Sequence, residues 1–204
     1  MIHGLERKGM VEHLNLDNVL GAGQTLNQEA AEANELRKML TLAVPGLLLG
    51  GVLPAVLFAS AAETLLVLTL IGTLMLLIGL RYMKNAHPLF VAAYSLAVTL
   101  TVLNTVRFGV SLLPGVGVIG QELLAIFGGI AAFTGFGVAL GMSLGLRQVL
   151  DDAWLPAVLL PVCYGALVCL AGLAYSPLVL GIKLVLGVAV TVLLFRTNKL
   201  AKTE

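Results

Sequence analysis

From residue 39 onward the chain alternates between long apolar runs and short breaks marked by charge, glycine or proline. The runs cover residues 39–59, 64–80, 89–106, 123–146, 154–174 and 178–195. A helix needs roughly 17–25 mostly apolar residues, at about 1.5 Å rise each, to cross a hydrocarbon core about 30 Å thick. The pattern therefore predicts six transmembrane helices, with Pro45 and Pro54 as kinks in the first. Residues 60–63 and 175–177 read as tight turns, 81–88 as a polar loop, and 147–153 as a loop carrying Asp151 and Asp152. Residues 108–120 are apolar yet hold Pro114 with Gly109, Gly115, Gly117 and Gly120. They either extend the third helix or dip back as a re-entrant segment, which is tolerated only where protein or water covers the backbone.

Residues 1–38 form the one sizeable polar stretch. Thr25 and Gln28 match a capping box, and residues 26–39 contain good helix formers and no breaker. They predict a short amphipathic cytoplasmic helix leading into the first span, set off from looser chain by Gly21 and Gly23. The division expected is an N-terminal segment over 1–38, a transmembrane domain over 39–195 and a basic tail over 196–204. The polar N-terminus lacks the apolar core of a secretory signal, and the C-terminus shows no retention or lipidation signature.

Composition bears out the class. Hydrophobic residues make up 59% and charged residues 11%, with a mean hydropathy of +1.01. An ordinary soluble domain is about a quarter charged, and soluble monomers rarely expose large apolar patches. The fold expected is an all-α polytopic transmembrane bundle. A net charge of +1 gives no basic field for nucleic acid. Charge also orients the chain. Arg37, Lys38, Arg81, Lys84, Arg147, Arg196, Lys199 and Lys202 fall on the side of both termini, against Arg107 and a membrane-embedded Lys183 on the other. Lys and Arg gather on the cytoplasmic face, so both termini are expected in the cytoplasm, with the plasma membrane as location.

Candidate chemistry is sparse. On the third span Thr101, Asn104, Arg107 and Ser111 fall within about 120° of one another at 100° per residue. Such a stripe faces the bundle interior or a cavity, or else Arg107 snorkels at its helix end while the others bridge helices. Glu122 follows across the connection and is expected to pair with Arg107, with Glu63 and Lys183 at the same level. Gly137, Gly141 and Gly145 recur every fourth residue and read as a zipper-like groove for close packing, making the fourth helix the central one.

Gly141, Ser143 and Gly145 also match Gly-x-Ser-x-Gly, but that nucleophile motif requires a strand–turn–helix context. Asp151 and Asp152 lack the further ligands of a metal site. Cys163 and Cys169 lie on different faces of one helix and read as apolar packing residues. Gly79, Leu80 and Arg81 recur as Gly145, Leu146 and Arg147 at a spacing of 66, a match short enough to arise by chance. No cofactor, metal or catalytic site is expected. The reading is a non-enzymatic membrane subunit or scaffold, in contact with lipid and with a membrane protein partner or a second copy. The alternative is a small-molecule transporter or membrane substrate-binding component, with Thr101, Asn104, Arg107, Ser111 and Glu122 as its polar site.

Overall fold

The computed structural model describes residues 16–56, 63–113, 118–150, 154–171 and 176–203. Every regular element among them is helical: α1 (Leu16–Leu47), a π-helical turn (Leu48–Val52), α2 (Leu53–Val56), α3 (Glu63–Met83), α4 (Pro88–Ser111), α5 (Val118–Val149), α6 (Trp154–Ala171) and α7 (Pro177–Thr203). The chain divides into two compact units, residues 1–34 and residues 35–204, the second holding the bundle.

Five helical stretches are long and apolar enough to cross a membrane: Ala31–Val56, Leu65–Met83, Pro88–Ser111, Glu122–Val149 and Pro177–Lys199. The apolar part of α6, Ala157–Leu170, is shorter. Large apolar side chains point outward along these helices, among them Val102, Phe133, Val162, Val185 and Val188, each more than half exposed. A surface of this kind is stable against lipid and not against water. Threonine and serine are tolerated because most hydroxyls return to their own helix. Thr41, Thr69, Ser95, Thr99, Thr105, Thr134, Thr191 and Thr197 each donate to the carbonyl four residues back.

Boundaries differ from the sequence reading at several points: α3 runs to Met83, α5 to Val149 and α7 from Pro177 to Thr203, into stretches read as loop, turn or tail. α1 runs unbroken through Gly21 and Gly23, where a break was expected. A helical glycine costs only about 1 kcal/mol, which the long run of helix formers after it outweighs. The described parts of the irregular segment are helical: α4 continues to Ser111 and closes through Leu112 and Leu113, and α5 begins at Val118. Residues 114–117 lie outside the described residues, as do 60–62 of the turn expected at 60–63, whose last residue Glu63 begins α3, and the acidic pair Asp151 and Asp152. Between α3 and α4 a short turn is closed by Ala86 N–H on Met83 O at 3.0 Å. His87 caps α4, its Nδ1 accepting from Leu89 N–H at 3.2 Å, with Pro88 in the first turn where no N–H is needed.

The most buried segment is the first span, half of it covered, against 28% for the span in α5. This corrects the expectation that the glycine-rich fourth helix is central. Its π-turn touches α3, α5 and α7, and α2 touches α3, α6 and α7. α3, α4, α5, α6 and α7 pack in sequence around it, with the α4–α5 pairing the most extensive. The cause is close backbone contact. A Cβ on Gly46 would lie 2.5 Å from Leu76 N and 2.8 Å from Gly72 O, and one on Gly79 would lie 2.8 Å from Ala43 N. Small residues at these crossings let the first span and α3 meet backbone to backbone.

Candidate functional site

The π-turn is where the site begins. Proline at 54 has no N–H to give the Gly50 carbonyl, and its ring would crowd that carbonyl in an α-helical register. The turn widens instead, and Leu53 N–H donates to Leu48 O, five residues back. Such wide turns recur at functional sites. Gly50 and Gly51 follow on this turn and can present only backbone atoms to whatever lies beside them.

Beside them is a cavity of about 40 Å³. Gly50, Gly51, Pro54 and Ala55 form one wall. Thr69 of α3 and Leu100, Asn104 and Arg107 of α4 form a second, and Gly128, Ala131 and Ala132 of α5 with Tyr164 and Val168 of α6 close it. Asn104 and Tyr164 each lie seven residues before the end of their helix, and Thr69 lies six after the start of α3. At about 1.5 Å per residue the cavity sits roughly 10 Å inside one end of the bundle, the end that carries the connections after α2, α4 and α6.

Its polar lining is incompletely satisfied. Asn104 is 3% exposed. Its Oδ1 accepts from Arg107 Nη1 at 3.1 Å, a contact that spacing by three residues on one helix permits. Asn104 Nδ2 and Arg107 Nε are both buried and have no hydrogen-bond partner. Tyr164 is 1% exposed, and its hydroxyl lies against Gly135 and Gly51. Thr69 already donates to Leu65 O at 2.7 Å, so it offers the cavity only acceptor capacity. Buried polar groups are normally paired, and an unpaired donor costs on the order of 1–3 kcal/mol.

The expected stripe on α4 divides. Asn104 and Arg107 reach the cavity, whereas Thr101 donates to Ala97 O and Ser111 to Phe108 O, at 2.8 and 2.7 Å, and neither lines it. Glu122 is exposed on α5, and Arg107 bonds to Asn104 in place of the expected pair with Glu122. Lys183 is buried on α7 at 2% exposure and lines no part of the cavity, and the Glu63 side chain lies outside the described residues. Gly137, Gly141 and Gly145 face α4, where an added Cβ would lie 2.9 Å from Leu96 Cδ1, 3.1 Å from Ala93 Cβ and 2.9 Å from Phe90 Cζ. Ser143 is buried near the C-terminal end of α5, without the strand and turn of a nucleophile elbow, and His87 is occupied as a cap. Cys163 and Cys169 are free thiols.

Reading the sequence missed Tyr164, Thr69 and the glycines of the π-turn. Tyr164 stands in an apolar run and counts there as another apolar residue. Gly50, Gly51 and Pro54 in close succession were the available signal. No protein-family model, curated protein or solved structure matches the chain.

Proposed function

We propose that this protein is a six-span membrane protein, with both termini and its N-terminal helix on the cytoplasmic side, that binds a small polar solute within the bundle. It acts as a transporter or as the membrane-embedded binding component of one. The observation that carries this reading is the pair of buried, partnerless donors, Asn104 Nδ2 and Arg107 Nε, on residues that line one cavity. Polar and ionisable groups inside a membrane bundle are expensive and mark solute pathways. A bound solute supplies the missing acceptors. α6 at 18 residues is about 27 Å long, close to the hydrocarbon thickness, and its crossing keeps eight basic residues on one side.

A subunit or scaffold without its own ligand draws on the glycine crossings of the first span with α3. Those crossings explain how the helices are held and leave the partnerless donors unexplained. The test is a screen of small polar solutes against the purified protein by thermal unfolding. Saturable stabilisation of the wild type, absent in Arg107→Gln, supports solute binding. A stoichiometric co-purifying protein with no solute response favours the scaffold.

A further inference from the structure

We infer that the cavity takes a small monovalent anion of no more than about four non-hydrogen atoms, such as a halide, nitrate, formate or bicarbonate. This rests on the solute-binding reading above and adds the ligand's charge and size. The sign follows from the lining. Arg107 remains charged at any working pH, and no carboxylate stands among the described residues around the cavity. The unused groups are donors, Asn104 Nδ2 and Arg107 Nε, and the Tyr164 hydroxyl, itself able to donate, lies beside Gly51 on the same lining. Arg107 is half-buried with its Nε fully so, and among the described residues the guanidinium bonds to a neutral amide and to no carboxylate, so no fixed negative charge there offsets it. Water filling the space would satisfy the donors, but an anion also gains from the nearby positive charge, and a cation is repelled by Arg107.

Size follows from the volume. A water occupies about 10–15 Å³ on this measure, so about 40 Å³ holds roughly three waters or one compact anion. Sulfate and phosphate bring more oxygens and a second charge than this lining can serve. Gly51 and the small residues Ala131 and Ala132 leave room on this lining, while the missing side chain of Gly50 admits the backbone of α3.

Thermal unfolding of the full chain in detergent tests the inference at constant ionic strength, with sodium gluconate as the balancing salt. Chloride, nitrate, formate and sulfate are titrated, with formamide as a neutral probe. The expected result is a saturable upward shift in Tm with at least one of the three small monoanions and none with sulfate. The shift should vanish in Arg107→Gln and in Asn104→Asp. Asn104→Asp sets a fixed carboxylate beside Arg107, so it should keep or raise the anion-free Tm while removing the response, which separates loss of the site from loss of the fold. An anion response of equal size in both variants is a general salt effect and overturns the inference. Saturable stabilisation by formamide without any by anions overturns the anion and leaves solute binding standing. No response to any probe, or to any other small polar solute, overturns both.

Discussion

Asn104 and Arg107 show how one turn of helix joins two polar side chains and still leaves both underused. Their single bond, from Nη1 to Oδ1, occupies one of the five N–H donors of the guanidinium and neither N–H of the amide. Asn104→Leu takes away the one partner of a partly buried charge and should cost about 1–3 kcal/mol. Adding Arg107→Leu should recover most of that loss, because replacing both partners by apolar groups of similar shape is close to neutral. Unfolding midpoints of the two single variants and the double variant decide it, and additive losses would show that the residues are energetically independent. Tyr164 and Gly51 form a second coupled pair, since a Cβ on Gly51 would strike the hydroxyl and lie 3.0 Å from Cζ. Gly51→Ala should cost about 1–3 kcal/mol by overpacking. Tyr164→Phe should relieve part of it, giving a coupling above about 0.5 kcal/mol in a double-mutant cycle.

Among the helices, what a glycine faces matters more than how regularly it recurs. Gly137, Gly141 and Gly145 announce themselves by four-residue spacing, yet Gly137 meets only the tip of Leu96, which can swing aside. Gly46 has a less conspicuous pattern and meets the backbone of Leu76 and Gly72, which cannot. Gly137→Ala should therefore be neutral or mildly stabilising, since alanine gains up to about 1 kcal/mol of helix propensity. Gly46→Ala should lose about 1–3 kcal/mol despite the same propensity gain. Gly109→Ala, with nothing near its Cβ, is the control and should gain up to about 1 kcal/mol. Thermal stability of the three variants in one detergent checks the ranking, and a Gly46→Ala protein as stable as Gly137→Ala would refute it.

For the whole molecule the open structural choice is whether α6 crosses the membrane, because it is the shortest of the apolar helices. Replacing Cys163 and Cys169 by Ala gives a background for single-cysteine reporters. Six crossings place Asn85→Cys, Asp152→Cys and Lys202→Cys on the cytoplasmic face and Ala62→Cys and Ser176→Cys on the other. If α6 does not cross, Ser176→Cys is labelled from the same side as Asn85→Cys, and Lys202→Cys from the same side as Ala62→Cys. A membrane-impermeant thiol reagent applied to sealed vesicles of each orientation distinguishes the two.

Helix lengths, the apolar exterior and the polar face of α4 were legible in the sequence because each depends on neighbours along the chain. Hydropathy and rise per residue decide whether a segment reaches across a bilayer, and a 100° step decides which residues share a face. The same step cannot tell which members of a face are already satisfied. Thr101 and Ser111 reach carbonyls of their own turns, whereas the Asn104 amide is spent on one side only. Which helix lies at the centre, and that a cavity opens beside its π-turn, depended on which backbones meet. Gly46 against Gly72, and Gly51 and Gly135 around the Tyr164 hydroxyl, are contacts between different spans, the Gly51–Tyr164 one between spans far apart in the chain. Only tertiary packing brings them together, and only there does a tyrosine in an apolar run become part of a polar site.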